Sequence, residues 1–403
     1  MKVLFVTWDG PQVTYLESLF LPIFARLAKD DVRFQVLQFT WGDVKRIALT
    51  REACGQIGVG YQAVSVWRRP VAIGAMLSAL VGARHVKKAI HAHNIDVVMP
   101  RSTLPALSTL LAFRETQRPM VFDADGLPLD ERVDFAGQSP SSLVHRLLRD
   151  VEAQAVRRAD VVLTRSAKAS EILHARAGAG ALMSKFHVVT NGRDPLLFKP
   201  ANAVDNAKVR HELGIALGSP LLVYAGSIGP QYCLDEMLQL FALVHHRRPD
   251  AHFLILTGSP EAVKPALSNH PKLSQCVTTL TVSAQAVPHY LGCGDLGLAL
   301  RQPSFSMQAV APIKLGEYLL CGLPVVATRG IGDTDAITPD AGFLLQHMDQ
   351  SQLNDVANWF VDSVLTQREN YRSNSRRAGL NSFSLESSAS SYQHALNLLK
   401  LCV

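Results

Sequence analysis

Short apolar runs alternate with stretches of helical period along this chain, and the alternation happens twice. Residues 2–7 are an apolar run that stops at Trp8-Asp9-Gly10-Pro11, and 13–28 then carry apolar positions at helical spacing. Strand-like 33–39 precedes a long basic helix, a strand at 96–99, a helix at 104–113 and a strand at 119–123. A helix at 142–158 leads to a strand at 160–164 and to the segment HVVTNGRDPLLF. Residues 199–205 read as a linker, after which the series restarts. Strands are expected at 220–224, 252–257, 277–280, 296–300 and 324–327, and helices at 234–247, 287–291 and 312–321. Such alternation predicts an α/β chain of two Rossmann-like, doubly wound domains. A ligand cleft is expected where both sheets turn their carboxyl ends.

Length agrees, since 403 residues suit two cores better than one. The six cysteines form no CxxC pair, which argues for reduced thiols over a zinc site or a disulfide framework. The opening apolar run is too short for a signal peptide, and the longest one, at 71–83, is too short to span a bilayer. Charge is uneven: residues 1–200 carry 26 Lys and Arg against 18 Asp and Glu, and residues 201–403 carry 14 against 16. The densest cluster is RRPVAIGAMLSALVGARHVKK, where Arg68, Arg69, Arg84, Lys87 and Lys88 flank an apolar stretch. It predicts a cytoplasmic protein held peripherally on an anionic membrane, with a solvated core helix as the alternative. Basic and aromatic residues do not interleave, so a nucleic-acid partner is not expected.

The segment APIKLGEYLLCGLPVVAT, 311–328, writes both ends of a helix. Pro312 suits the first helical position and Gly322 the left-handed cap before Pro324. Lys314 stands in the first turn, where a cation opposes the helix dipole unless an anion such as a diphosphate binds there. Glu317, one turn deeper on the same face, is able to accept hydrogen bonds from a ribose diol. Arg301 ends an apolar strand at the carboxyl edge and is a further candidate for phosphate.

These stretches, with NGRDPLLFKP, LLVYAGSIGP, VPHYLGCGDLGLALR and the terminal FSLESSASSYQHAL, resemble the retaining glycosyltransferase family 4 of the GT-B fold over nearly the whole chain. The resemblance implies an acceptor-binding domain at 1–195, a nucleotide-sugar-binding domain at 196–384, and a terminal helix, 385–403, packed back on the first. It implies transfer of a sugar from a nucleoside diphosphate sugar to a glycan or lipid-linked acceptor, in bacterial-type surface polysaccharide or glycolipid synthesis. No cofactor besides that donor is implied. Glu317 would bind the ribose, and the loop holding Gly10 would lie over the diphosphate or the acceptor.

The chain departs from the pattern at three places. Ala309 stands where the family often has a second glutamate, Ser227 and Tyr232 where it has an arginine and a lysine, and Asp125 where it has a histidine. The phosphate charge then falls to Lys314, Arg301 and the amides of Gly226, Ser227 and Gly229. Lys314 and Asp125 are the catalytic candidates, the first for the leaving diphosphate and the second near the acceptor hydroxyl or the transferred sugar. Asp123-Ala124-Asp125 also fits a metal-binding DxD, a pattern frequent by chance, and no metal is expected. Two rival readings stay open: a nucleotide-sugar epimerase of the same fold, and a catalytically silent nucleotide-binding subunit.

Overall fold

Val3, Leu4, Phe5 and Val6 are wholly buried in succession, as befits a central strand covered on both faces. They belong to β1 (Lys2–Asp9) in the computed structural model, which describes residues 1–400, the side chains of Ala72 and Lys400 excepted. β1 pairs in parallel with β2 (Arg33–Thr40) and β4 (Val97–Pro100), and β2 pairs with β3 (Gly60–Ser65). The separate trio β5 (Val121–Asp123), β6 (Val161–Thr164) and β7 (Phe186–Val188) is also parallel. Single bridges Val98–Met120 and Arg101–Asp123 connect the two groups, giving the order 3-2-1-4-5-6-7.

The second series repeats the plan. Strands β8 (Leu221–Ala225), β9 (His252–Leu256), β10 (Val277–Leu280), β11 (Leu296–Ala299), β12 (Val325–Thr328) and β13 (Gly342–Leu345) form a parallel sheet ordered β10-β9-β8-β11-β12-β13. In both sheets the order reverses beside the first strand of the series, so each has a switch point at its carboxyl edge. One face of the second sheet packs Tyr224, Phe241, Phe253 and Phe360, and the other packs Leu254, Leu315, Tyr318 and Val325.

The chain divides into two compact units, one running from Met1 to Thr190 and resuming at Ser388, the other comprising Asn191–Ser387. The helix Leu385–Lys400 crosses the second division, and residues 401–403 of the expected terminal helix lie outside the described residues. From Ser388 onward its Ala389, Tyr392, Ala395, Leu396 and Leu399 are buried.

Several elements differ from the sequence reading. The expected linker at 199–205 already contains a helix, Ala203–Glu212, which Asn202 caps by accepting from the Asp205 amide at 2.8 Å. Pro312 precedes the helix Ile313–Leu320 instead of opening it; with φ near −66° and ψ near 107° it is its extended N-cap. The stretch 13–28 is broken into a π-helical turn, Leu16–Phe20, and a short α-helix, Leu21–Leu27. Strand β3 and the helix Val44–Gln56 carry little apolar periodicity, because β3 lies at a sheet edge and the helix buries only Thr50 and Cys54.

Candidate active site

In the second unit, Tyr224 near the end of β8, Tyr232 in the following turn, Arg301 after β11 and Lys314 in the helix Ile313–Leu320 converge. Lys314 is only 8% exposed, and its Nζ donates to the Tyr224 hydroxyl at 3.0 Å. The ammonium lies 4.1 Å from the centre of the Tyr224 ring and 4.8 Å from that of Tyr232. The Arg301 guanidinium lies over the same Tyr232 ring at 4.6 Å. Its Nε is buried without a hydrogen-bond partner, and Nη1 has only the Met307 sulfur at 3.9 Å. Among the described residues neither cation forms an ion pair. Burial and the neighbouring Arg301 hold the Lys314 ammonium well below its ordinary range. Two cations share an aromatic cup, and each lacks a carboxylate of its own.

Gly226 is needed beside this cup. Its φ of 151° disfavours a side chain, and a Cβ there would stand 3.0 Å from the Lys314 nitrogen. Its amide, expected to face phosphate, instead donates to the Leu256 carbonyl at 2.9 Å as part of the sheet edge, so it is removed from the set of phosphate donors. The Ser227 carbonyl accepts from the Tyr224 hydroxyl at 2.5 Å, and that residue is exposed. Gly229 is extended and its carbonyl accepts from the Tyr232 amide at 3.0 Å. Ala309 is wholly buried.

Glu317 is 8% exposed, which excludes a surface Lys314–Glu317 pair. Its Oε1 accepts from Nε of Arg193 at 2.8 Å and from Nη2 at 2.5 Å. Arg193 is the arginine of the NGRDP segment, and its backbone bonds to Phe383 and Leu385 on both sides. Carboxylate and guanidinium are thus held on a fixed frame.

The first unit carries a separate polar network at the carboxyl edge of its sheet. Arg101, directly after β4, approaches Asp125 Oδ2 at 2.6 Å and Asp9 Oδ1 at 3.5 Å. Asp9 also accepts from Thr7 at 2.7 Å and Gln38 at 3.2 Å, and Tyr61 donates to Gln38 at 2.6 Å. Arg165, directly after β6, donates to both oxygens of the wholly buried Asp123 at 2.8 Å. Each carboxylate of Asp123-Ala124-Asp125 therefore faces its own guanidinium, and the pattern leaves no free pair of metal ligands. No group of three or more His, Cys, Asp or Glu suited to a metal occurs among the described residues. Asp125 has φ 54°, a left-handed backbone uncommon outside glycine, and its side chain is 32% exposed.

Gly10 serves a neighbour directly: a Cβ there would stand 2.6 Å from Cζ2 of Trp41. Trp41 in turn lies under the Arg68 guanidinium at 4.2 Å. Both border a pocket of about 810 Å³ at the ends of β1, β2 and β3. The basic cluster separates in space. Arg68 stacks on Trp41 and Lys87 pairs with Glu115, while Arg84 and Lys88 are exposed on the helix Val71–His93. That helix exposes Val71, Ile73, Leu77, Leu80 and Val81, each by more than a third. No helix among the described residues is long and apolar enough to cross a membrane.

Lys314, Glu317, Arg301 and Gly226 thus gather in one unit, and Asp125 and Gly10 lie in the other. The sequence reading missed Arg193, Tyr224, Arg101 and Asp9. A usable signal was present: Arg101 and Arg165 each follow a buried strand directly, as Arg301 nearly does.

Comparison with known proteins follows the division of the chain. Residues 23–195 match the Glycosyltransferase Family 4 model, and residues 219–362 match that of Glycosyl transferases group 1. A putative teichuronic acid biosynthesis glycosyltransferase, TuaH of Bacillus subtilis, is 29% identical over 232 residues, covering 56% of this chain and 53% of that protein. A GDP-mannose-dependent monoacylated alpha-(1-6)-phosphatidylinositol monomannoside mannosyltransferase of Corynebacterium glutamicum is 25% identical, covering 45% and 48%. The chain spans about half the length of the curated relatives it matches. Anabaena HepE, solved in complex with UDP and glucose, superposes with a TM-score of 0.72 at 20% identity over 98% of this chain and 99% of that one. A Rickettsia africae glycosyltransferase gives a TM-score of 0.73 at 15% identity over 99% of both. With a glycosyltransferase model on each unit and a GT-B architecture matched end to end, this chain belongs to the family 4 glycosyltransferases.

Proposed function

We propose that the protein transfers a sugar from a nucleoside diphosphate sugar to a glycan or lipid-linked acceptor in surface polysaccharide or glycolipid synthesis. The observation that carries this reading is the pairing of Lys314 and Arg301 over one tyrosine ring, neither in an ion pair among the described residues. Two basic side chains held together without an ion-pair partner favour an anionic ligand, because a ligand charge between them restores the protonated lysine and offsets their mutual repulsion. In this reading Glu317, oriented by Arg193, accepts the ribose hydroxyls, and Lys314 and Arg301 hold the diphosphate. Charge that gathers on the leaving diphosphate as the glycosidic bond breaks is then stabilised electrostatically. Asp125 is assigned to the acceptor hydroxyl or the transferred sugar, and Ser227 and Gly229 to the donor edge. Retention of configuration and a need for no further cofactor are part of the proposal through family membership. The UDP and UDP-glucose bound by Anabaena HepE favour a uridine nucleotide among the candidates. Exposed Arg84 and Lys88 beside the apolar flank of the helix Val71–His93 support peripheral attachment to the inner face of an anionic membrane.

The test is a panel of UDP-, GDP- and ADP-sugars scored by thermal shift, followed by turnover of the stabilising donor on lipid-linked and soluble acceptors. A rise in melting temperature with one donor class and acceptor-dependent release of nucleotide are expected. Release that needs no acceptor, with an altered sugar, would favour epimerisation instead.

A further inference from the structure

The pocket at the carboxyl ends of β1, β2 and β3 has a composition that points to a particular acceptor. Of its fifteen lining residues only Gln12, Arg68, Arg132 and Gln138 are polar, and none is acidic. Trp8, Met76, Leu104, Val144 and Leu148 form much of the apolar wall, and Trp8 is fixed by stacking on Phe39 at 5.1 Å. Arg68 and Arg132 have no carboxylate partner among the described residues. A bare sugar buried here would leave most hydroxyls without a partner, which is costly. An apolar chain ending in an anion matches both the wall and the two guanidinium groups.

The surroundings agree with that chemistry. Val71 and Val144 line the pocket and are themselves 54% and 41% exposed. The two helices that supply Val71 and Val144 also carry exposed apolar residues, Ile73, Leu77 and Leu80 on one and Leu143 and Leu147 on the other. The mouth of the cavity is thus apolar at Val71 and Val144, and the helices around it carry apolar surface of the kind that meets a bilayer.

We propose that this pocket receives the acceptor as a single-chain amphiphile, its hydrocarbon chain against Trp8, Met76, Leu104 and Leu148 and its phosphate held by Arg68 and Arg132. The proposal rests on the glycosyl-transfer reading and names its acceptor class. An isoprenoid phosphate, which would accept the sugar on a phosphate oxygen, and a lysophosphatidate, which would accept it on its free hydroxyl, share this recognition chemistry, the nucleoside diphosphate leaving in either case.

The experiment is calorimetric titration of the full chain with farnesyl phosphate, lysophosphatidate, farnesol, inorganic phosphate and maltotriose, lipids being kept below their micelle concentrations. At least one of the two chain phosphates should bind, roughly tenfold or more tighter than farnesol, the scale of charged hydrogen bonds. The tighter of the two identifies the source of the chain. Inorganic phosphate and maltotriose should show no competing heat. Ala75→Trp, which puts an indole into the space for the chain, should weaken chain-phosphate binding at least tenfold and leave UDP affinity unchanged. Should that variant not fold, Val144→Asp at the exposed rim should weaken the same ligand. Replacing both Arg68 and Arg132 by alanine should remove the preference over farnesol. Failure of both chain phosphates to bind, or their indifference to Ala75→Trp and Val144→Asp, overturns the proposal. Chain-phosphate binding without donor turnover would leave the pocket standing and sink the transfer reading; UDP binding without chain-phosphate binding would do the reverse.

Discussion

Arg193 grips a single oxygen of Glu317, with Nε at 2.8 Å and Nη2 at 2.5 Å, although 124 residues separate the two in sequence. Removing one partner leaves the other charged in a mostly buried place, so Arg193→Met should destabilise the protein by about 2 kcal/mol or more. Arg193→Met with Glu317→Gln should recover part of that loss, and denaturant unfolding of the three variants closes the cycle.

Glu317→Ala should weaken nucleoside diphosphate binding by roughly 1.5–3 kcal/mol, the range for a charged hydrogen bond. Unchanged calorimetric affinity would remove Glu317 from the donor site.

Lys314 gives a pH signature. Its pKa in the empty fold is depressed from 10.5 by burial and by Arg301. Between that depressed value and 10.5 the unfolded chain binds more protons, so stability of the empty protein should rise with pH in this window. A diphosphate favours the charged lysine, so binding should take up a proton there and weaken as pH rises. Binding enthalpies measured in buffers of different ionisation heat reveal that proton. Lys314→Met should abolish the uptake, leave the empty protein as stable or more so, and lower kcat by about 100-fold, roughly 2.7 kcal/mol. A clearly lower melting temperature with intact turnover would make Lys314 a structural residue.

Asp123 and Asp125 are each committed to an arginine, so chelation should not stop the reaction. Activity is expected to persist in EDTA; loss on chelation and recovery with Mn²⁺ would return the pair to the role of metal ligands. Arg165→Met should cost about 3–5 kcal/mol in unfolding free energy, because it strands the wholly buried Asp123.

Reversing Arg84 and Lys88 to glutamate should reduce co-sedimentation with anionic liposomes by about 1 kcal/mol per charge removed. UDP affinity should not change, and equal retention on neutral and anionic vesicles would count against attachment through charge.

Much of the architecture was legible because buried parallel strands are continuous apolar runs. The helix 234–247 and strand 277–280 were read to the residue. Elements with little to bury were missed, such as β3 at its edge and the helix beginning at Ala203 within the supposed linker. Lys314 and Glu317 were visible from the caps around their helix. Their partners were not, since Arg193 and Tyr224 reach them over 124 and 90 residues of chain. Gly10 was singled out for the space it leaves, but local sequence could not reveal that Trp41 fills it.

The first unit is discontinuous in sequence: its last segment begins at Ser388, whose hydroxyl donates to the Thr190 carbonyl at 2.6 Å. On the ribosome this imposes an order of completion. The second unit is contiguous and can finish once residue 387 has emerged, while the earlier-made unit waits without the segment that carries the buried Tyr392, Leu396 and Leu399. A nascent chain arrested before that residue should therefore be proteolysed first within residues 1–190, although those residues were synthesised earliest.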